Sequence, residues 1–250
     1  MKETLQYWDD RALENKDARS ITHYDIHQRQ FEIEFISKYL KKDQSVLEIG
    51  CGNGYTTGII NSLIANIKAI DFSPEMINRA KKEVSGENIE FTVGDVRNLN
   101  IDNQYDVIIT QRCLINILSW KMQQEGLLNI AKCLKPGGVF IMFEGSADGK
   151  RNLNTVRKTF GLQEIPKVEY NLDFEEQDLR TFMKDEFDLL EKNTFGQYEY
   201  ITRVIYPSSI APENPQYESK FHDIALKSVQ TLKDSHPEIS KLAMWVWKKQ

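Results

Sequence analysis

Short apolar runs alternate with longer segments of helical spacing from about residue 31 to residue 144. Apolar residues recur at helical spacing over residues 31–40 and predict a helix there. The apolar runs predict five strands, at residues 45–49, 67–70, 89–93, 105–110 and 139–143. Further helices are expected over residues 55–64, after a Ser73 cap followed by Pro74, and around residues 127–134. This alternation predicts a doubly wound parallel sheet of the α/β class.

The C-terminal third has a less regular pattern. It predicts a helix over residues 173–183, strands at residues 187–194 and 198–206, and a helix over residues 217–232. The tail at residues 242–247 is apolar, and we expect it to lie in the core or in an interface. No stretch has the composition of a linker, so we expect a single domain over residues 1–250.

Composition and charge narrow the class of protein. The 250 residues are 40% hydrophobic and carry a net charge of −5, which suits a large domain without a basic surface for nucleic acid or an anionic membrane. No run approaches the roughly 20 apolar residues of a membrane span, and the first residues lack a signal-peptide stretch. The cysteines Cys51, Cys113 and Cys133 lack metal-ligand spacing. We expect a cytoplasmic protein without a metal, in which Cys51 and Cys113 are packing residues.

The most distinctive segment is a short apolar strand followed by glycines at alternate positions. Glu48 lies near the end of the strand, and Gly50, Gly52 and Gly54 follow it. This spacing differs from the G-x-G-x-x-G pattern of dinucleotide-binding loops. A carboxylate so close to the loop repels a pyrophosphate, whereas it suits a ligand that carries an ammonium and a sulfonium. The segment therefore predicts a ligand loop that does not bind NAD.

Side chains at the ends of the next two strands indicate a nucleoside ligand. Asp71 ends the second strand, where a carboxylate can accept hydrogen bonds from ribose hydroxyls. Phe72 and Met76 are placed to pack on a flat base, and Asp95, after the third strand, can accept from an exocyclic amine. Ligands bind beyond the carboxyl ends of parallel strands, so we expect these residues in one site.

Four motifs in this order resemble those of the class I S-adenosylmethionine-dependent methyltransferases. They are residues 48–54, Asp71, Gly94-Asp95 and residues 134–138. The resemblance implies a Rossmann-like, mostly parallel seven-stranded sheet with one antiparallel strand, in which residues 187–194 and 198–206 are the last two strands. It also implies a helical lid at residues 1–42, a core at residues 43–206 and C-terminal additions at residues 207–250.

The resemblance implies S-adenosyl-L-methionine as cofactor and S-adenosyl-L-homocysteine as product. By position, the cofactor-binding residues would be Tyr7, Arg19, Glu48, Gly50, Cys51, Gly52, Asn53, Asp71, Phe72, Met76, Gly94, Asp95, Val96 and Gln111. The glycine loop would face the methionine portion, Asp71 the ribose, and Phe72 and Met76 the adenine. The region around Tyr7 and Arg19 is similar to the lid of small-molecule methyltransferases such as glycine N-methyltransferase, and Arg19 would pair with the methionine carboxylate.

The acceptor is expected to be a small soluble molecule. Residues 110–113 are Thr-Gln-Arg-Cys, not the Asn/Asp-Pro-Pro-Tyr of methylases that act on nucleobase amines. Residues 111–116, 143–145 and 203–207 are similar to bacterial methyltransferases associated with surface-polysaccharide biosynthesis, which implies a sugar or phosphoryl-type oxygen on a nucleotide-activated precursor. An anionic acceptor would suit the cations Arg112, Arg151, Arg157 and Arg203.

Acceptor-binding and catalytic roles are less constrained. The expected substrate-binding residues are His27, Arg112, Glu144, Arg203 and Tyr206. An alcohol acceptor requires a general base, for which His23, His27 and Glu144 are unranked candidates, whereas a phosphate or carboxylate oxygen requires none. Three alternatives stay open: N-methylation of a small amine, a non-catalytic protein that binds S-adenosylmethionine, and an NAD-dependent oxidoreductase.

Overall fold

A seven-stranded sheet organises the chain. The computed structural model describes residues 2–14, 17–99, 104–217, 219–231 and 235–250. The strands of these residues are β1 (Ser45–Ile49), β2 (Asn66–Asp71), β3 (Ile89–Val93), β4 (Tyr105–Gln111), β5 (Leu134–Gly145), β6 (Phe187–Thr194) and β7 (Leu242–Lys249). The predicted strands up to residue 143 are confirmed, and so is the strand at residues 187–194. β5 begins earlier than predicted, because Leu134 already pairs with Tyr105.

The order of the strands places a crevice at the centre of the sheet. The spatial order is β3-β2-β1-β4-β5-β7-β6. β1 to β5 are parallel, and β7 runs antiparallel to both β5 and β6. Val46 and Leu47 of β1 are fully buried, as a strand covered on both faces requires. The strand order reverses between β1 and β4, and a ligand crevice forms at such a point beyond the carboxyl ends.

Helices cover both faces of the sheet. The α-helices of the described residues are α1 (Lys2–Leu13), α2 (Ile26–Ser37), α3 (Tyr55–Ile60), α4 (Pro74–Glu83), α5 (Trp120–Cys133), α6 (Ala147–Thr159), α7 (Glu176–Met183), α8 (Gly196–Glu199), α9 (Tyr206–Ile210) and α10 (Lys220–Thr231). The predicted cap of α4 is confirmed, since Ser73 Oγ accepts from the Met76 amide at 3.0 Å. No helix in these ranges is long and apolar enough to cross a membrane.

The bounds of α2 and α10 differ from the sequence prediction, and α6 was not predicted. α2 begins at Ile26, before the predicted start, because the Asp25 carboxylate caps it by accepting from the Gln28 amide at 3.1 Å. α10 ends at Thr231, and residue 232 of the predicted helix lies outside the described residues. α6 was not predicted, because most of its residues are polar. Its buried residues are only Gly149 and Leu153, which are too few to give a clear helical pattern.

The prediction of a strand at residues 198–206 is wrong. This segment runs from α8 through a π-helical turn at Tyr200–Ile205 into α9. Tyr198, Thr202 and Tyr206 are buried at intervals of four residues, so they share one face of a helix. The segment is rich in β-branched and aromatic residues, which favour strands locally, but burial of this face decides the conformation.

The last strand instead comes from the apolar tail. β7 lies between β5 and β6, and Trp245 and Trp247 are buried in the core. Residues 207–250 are therefore not only an addition to the core, because they contribute a strand to the inside of the sheet. Each of the six residues from Leu242 to Trp247 is buried, which is the continuous apolar run of a strand covered on both faces.

Candidate active site

A first cavity of about 510 Å³ lies beyond the carboxyl ends of β1, β2, β3 and β4. Of the predicted cofactor-binding residues, it is lined by Glu48, Gly50, Cys51, Gly52, Asp71, Phe72, Met76, Gly94, Asp95, Val96 and Gln111. Trp8 of α1 and Thr22 line it from the N-terminal segment. The structure thus brings together residues from four strand ends under the first helix.

The glycine loop has a backbone that other residues rarely adopt. Gly50, Gly52 and Gly54 have φ angles of 76°, 54° and 73°, in the left-handed region. A Cβ atom on Gly50 would lie 2.5 Å from the Cβ of Cys113. The loop is held to the sheet because the amides of Gly50 and Cys51 donate to the Ile70 carbonyl at 2.8 Å and 3.0 Å.

Asp71 holds the glycine loop and also faces the first cavity. Its carboxylate accepts from the amides of Gly52 at 2.8 Å and Ser73 at 2.9 Å. Burial raises the pKa of Asp71 to about 6, although these two hydrogen bonds oppose the shift. A carboxylate has about four acceptor positions, so two remain for a ligand.

Glu48 places a second buried carboxylate at the cavity wall. Its Oε2 accepts from the Thr57 hydroxyl at 2.5 Å. Burial raises the pKa of Glu48 to about 7, against the effect of Thr57 and the charge of Arg29. Glu48 therefore titrates near neutral pH and responds to any cation brought into the cavity.

Arg29 is a cavity residue that the sequence reasoning missed. It lies on the buried face of α2, with its guanidinium 4.3 Å from the centroid of the Tyr55 ring. One nitrogen donates to the Arg19 carbonyl at 2.9 Å, while the buried Nε has no partner among the described residues. Burial, together with the charge of Arg112, lowers the pKa of Arg29 to about 10. Arg29 thus brings an incompletely paired cation to the first cavity.

Three predicted cofactor residues lie off the cavity wall. Arg19 is half exposed and pairs with Asp17 at 2.6 Å. Tyr7 stacks on Tyr170 with ring centroids 4.4 Å apart. Asn53 is buried, and its amide group donates to the Ala18 carbonyl at 3.0 Å. Tyr7 and Asn53 thus join the N-terminal segment to the rest of the chain, whereas the Arg19 side chain pairs within that segment.

A second cavity of about 420 Å³ lies beside the first and shares Arg112 with it. Its walls come from the segment before α2, the ends of β4 and β5, α6 and the residues between β6 and β7. The cations on its wall are Arg112, Lys150, Arg157, Arg203 and Lys241, and the carboxylates are Asp25 and Asp173. The wall is therefore richer in cations than in carboxylates.

Arg112 is held in an unusual conformation between the two cavities. Among the described residues, Arg112 is the one non-glycine residue with a positive φ angle, 52°. Its guanidinium pairs at 2.5 Å with the fully buried Glu32, which also accepts from the Gln111 amide group at 2.9 Å. Glu32 thereby fixes the loop after β4 against α2, and it is a second residue that sequence reasoning missed.

Arg203 and Tyr206 were predicted together, but only Arg203 faces the second cavity. The Arg203 guanidinium pairs with the buried Asp25 at 2.8 Å, and Asp25 also accepts from the Tyr198 hydroxyl at 2.7 Å. Burial acts to raise the pKa of Asp25, but Arg203 and Tyr198 outweigh it and lower that pKa. Tyr206 instead stacks on Phe221 with ring centroids 4.8 Å apart.

Glu144 does not lie in either cavity, contrary to its predicted role in acceptor binding. It is fully buried, and its two oxygens accept from the amides of Cys113, Leu114 and Ile115, each at 3.1 Å. Burial raises the pKa of Glu144 to about 7, while these three amides act to lower it. Its hydrogen bonds hold the loop after β4, so its oxygens are not directed at a substrate.

The structure separates the two histidine candidates. His27 lies outside both cavities and packs against His222, with ring centroids 6.0 Å apart. His23 lines the second cavity, and its buried Nε2 has no partner among the described residues. Burial, followed by the charges of Arg112 and Lys241, lowers the pKa of His23 well below its usual value. His23 is therefore a neutral imidazole beside the junction at Arg112.

Of the four arginines expected to suit an anion, Arg151 lies away from the second cavity. It is exposed and pairs with Glu175 at 2.7 Å and Asp148 at 2.6 Å. Lys150, one position earlier on α6, lines the cavity instead. The two side chains leave the helix about 100° apart, so only one of them can face inward.

Comparison with known proteins shows similarity to methyltransferases. Residues 46–138 match the protein-family model of a methyltransferase domain. Over 131 residues, 50% of this chain, the sequence is 33% identical to malonyl-[acyl-carrier protein] O-methyltransferase of Priestia megaterium, of which 46% is covered. Over 70% of this chain it is 29% identical to malonyl-[acyl-carrier protein] O-methyltransferase 2 of Ilyobacter polytropus, of which 68% is covered. The chain spans about half the length of several curated relatives that it matches.

The fold has a solved counterpart over the whole chain. N-methyltransferase NodS from Bradyrhizobium japonicum WM9, in complex with S-adenosyl-l-homocysteine, is similar with a TM-score of 0.63. The identity is 14%, over 99% of this chain and 98% of that chain, so this likeness shows the fold alone. The predicted Rossmann-like, mostly parallel seven-stranded sheet is confirmed. The chain therefore has the fold of this solved methyltransferase, and its residues 46–138 are similar to a methyltransferase domain.

Proposed function

We propose that this chain transfers a methyl group from S-adenosylmethionine, bound in the first cavity, to an oxygen of a small soluble acceptor bound in the second. The observation that carries this proposal is the position of Arg112, which lines both cavities at the carboxyl end of β4. The proposal requires that molecules in the two cavities meet beside this residue. The malonyl-[acyl-carrier protein] O-methyltransferase relatives support an oxygen acceptor.

The residues of the first cavity fit each part of the cofactor. The guanidinium of Arg29, with its unpartnered buried Nε, suits the methionine carboxylate. The Glu48 carboxylate suits the ammonium, and the free acceptor positions of Asp71 suit the ribose hydroxyls. Phe72 and Met76 offer apolar surface for adenine. Arg29 thus takes the part that the sequence resemblance assigns to Arg19.

The chemistry requires positioning and, for some acceptors, a base. When bound, S-adenosylmethionine supplies a methyl carbon already activated by its sulfonium. The protein would hold the acceptor oxygen beside that carbon and exclude water. An acceptor hydroxyl would give its proton to His23 Nε2, which is neutral because the pKa of His23 is low. A carboxylate or phosphoryl oxygen needs no such step.

The identity of the acceptor is the least constrained part of the proposal. A sugar or phosphoryl-type precursor of a bacterial surface glycan stays a prediction from the sequence. N-methylation of a small amine is less favoured, because the cations of the second cavity repel a protonated amine. Tight binding of S-adenosylhomocysteine without turnover on any acceptor would favour the non-catalytic alternative.

Turnover can be tested with methyl-labelled S-adenosylmethionine and a panel of hydroxylated, carboxylated, phosphorylated and amine compounds. We expect the labelled methyl group to be transferred to an oxygen atom of one of these compounds. For a hydroxyl acceptor, His23→Gln should lower kcat about 100-fold or more, because proton transfer in the transition state is lost. The wild-type rate should stay level from about pH 6.5 upward, since the pKa of His23 lies below its usual value.

The matched control is His27→Gln, because His27 lies outside both cavities. We expect this variant to retain the wild-type kcat and pH profile. Turnover confined to neutral amines or lipids would contradict the proposed acceptor class. A His23→Gln variant with wild-type kcat on a hydroxyl acceptor would exclude His23 as the base.

Cofactor affinity should depend on pH through Glu48. Burial raises the pKa of Glu48 to about 7, and the ammonium of the ligand favours its ionised form. Binding below this pKa therefore releases a proton, and affinity rises as the pH rises through it. We expect S-adenosylhomocysteine to bind about tenfold more tightly at about pH 8 than at about pH 6. Calorimetry in two buffers of different ionisation enthalpy measures the proton release.

Glu48→Gln provides the comparison for this pH dependence. The variant keeps the size of the side chain but cannot ionise, so its affinity should change little over the same pH range. Wild-type protein that binds S-adenosylhomocysteine equally well across this range, without proton release, would contradict a contact between Glu48 and the ammonium.

A further inference from the structure

The cations of the second cavity are unevenly paired. Each of four cations has one carboxylate within reach. The pairs are Arg112 with Glu32 at 2.5 Å, Lys150 with Asp173 at 3.5 Å, Arg203 with Asp25 at 2.8 Å and Lys241 with Glu199 at 4.0 Å. Arg157 is the remaining cation of this wall.

Arg157 has no carboxylate partner among the described residues. Its guanidinium donates to two backbone carbonyls, those of Gln163 at 2.9 Å and Arg203. Neutral carbonyls satisfy hydrogen-bonding groups but do not cancel a charge. Burial, together with the neighbouring charge of Arg203, lowers the pKa of Arg157. The side chain is therefore held in place by its carbonyl contacts while its positive charge faces the cavity uncompensated.

Arg203 and Lys241, which also line the second cavity, would add to the attraction for an anion. Lys241 is also in a setting that disfavours its charge, because burial lowers its pKa, with Arg203 and Arg112 adding to the effect. Its nearest carboxylate, Glu199, is 4.0 Å away, at the limit of an ion pair. Asp173 and Asp25 are occupied by Lys150 and Arg203. An anion beside Arg157 would thus meet a net positive wall.

We propose that the acceptor carries an oxyanion, a carboxylate or a phosphoryl group, that binds to Arg157 and is assisted by Arg203 and Lys241. This inference rests on the proposed function, because it assigns a substrate class to the second cavity. Guanidinium groups bind carboxylate and phosphate oxygens through paired hydrogen bonds, which neutral ligands cannot match. A cavity of about 420 Å³ is the size of sites for small molecules.

Calorimetric titration of the protein saturated with S-adenosylhomocysteine tests the inference without knowledge of the acceptor. The probes are inorganic phosphate, uridine monophosphate, succinate and its neutral analogue succinamide, at constant ionic strength. We expect at least one oxyanion probe to bind and succinamide not to bind. Succinate alone would indicate a carboxylate acceptor, and the two phosphoryl probes alone a phosphorylated one. Arg157→Gln should weaken binding of that probe about tenfold or more.

Arg151→Gln is the matched control, because Arg151 lies on the same helix but is exposed and paired outside the cavity. It should bind the probe like the wild type, and Arg157→Lys should retain part of the affinity. Unchanged binding of S-adenosylhomocysteine by Arg157→Gln shows that the variant is folded. The inference is wrong if no oxyanion probe binds more tightly than succinamide. It is also wrong if Arg157→Gln binds the oxyanion probe as tightly as the wild type does. Failure of the wild-type protein to bind S-adenosylhomocysteine would instead overturn the proposed function itself.

Discussion

Replacement of Asp71 with alanine is expected to weaken the binding of S-adenosylhomocysteine about 100-fold, which corresponds to about 3 kcal/mol. The carboxylate accepts from the buried amides of Gly52 and Ser73, so its loss leaves two donors without partners and releases the glycine loop. It also removes the acceptors proposed for the ribose. Calorimetric titration of both proteins with S-adenosylhomocysteine measures the difference.

Asp188→Ala is the control for this variant. Asp188 lies on β6, is exposed, and accepts from the Gln250 side chain, far from the glycine loop in the sheet order. Its replacement should leave the affinity unchanged. If Asp71→Ala binds S-adenosylhomocysteine as tightly as the wild type, Asp71 is a structural end of β2 and not part of a ligand site.

Replacement of Glu144 with glutamine should lower the stability of the protein by about 2–4 kcal/mol. One amide oxygen of glutamine can still accept, but its NH2 group would face the backbone N–H of Ile115 or those of Cys113 and Leu114. Buried donors would then lack an acceptor. For a domain of this size we expect Tm to fall by about 5–10 °C, as measured by differential scanning calorimetry.

The stability measurement distinguishes the two roles considered for Glu144. A residue that acted only as base or acceptor ligand would lose activity on substitution while the Tm stayed unchanged. The exposed Glu87, replaced by glutamine, is the control and should leave the Tm within about 1 °C of the wild type. An unchanged Tm for Glu144→Gln would show that the three amide contacts do not stabilise the loop after β4.

The first half of the fold is readable from the sequence because local and global signals agree there. Buried parallel strands are continuous apolar runs, and β1 to β4 are bounded by turns or capped helices. The cavity residues Gly50, Gly52 and Asp71 lie at the carboxyl ends of these strands, so strand position also gives cavity position. Each of these residues is specified by its own neighbours in sequence.

The C-terminal third is harder to predict because tertiary contacts decide it. Residues 198–206 favour a strand locally, yet Tyr198 reaches Asp25 from a helix. In the sequence, the residues of β7 are an apolar C-terminal segment without a strand signal of their own. They form a strand because they pair with β5 and β6. No local signal identifies which of two apolar segments enters a sheet, since the choice depends on partners far away in sequence.

The position of Arg19 off the cavity wall differs from the sequence prediction for another reason. The sequence reasoning treated the helix around residues 31–40 by its apolar positions alone. Asp25, Gln28, Arg29 and Glu32 are also buried, at intervals that place them on one face of α2. Such a polar stripe on a buried helix face predicts that Arg29 lines a cavity, as the structure shows, whereas Arg19 is half exposed.

The proposed function requires that the first cavity binds S-adenosylmethionine and not a dinucleotide. Calorimetric titration of the wild-type protein with S-adenosylhomocysteine and, separately, with NAD tests it most directly. The left-handed glycines beside Glu48 and Asp71 predict a single site for S-adenosylhomocysteine and no measurable binding of NAD. Binding of NAD, with no heat from S-adenosylhomocysteine, would contradict the account.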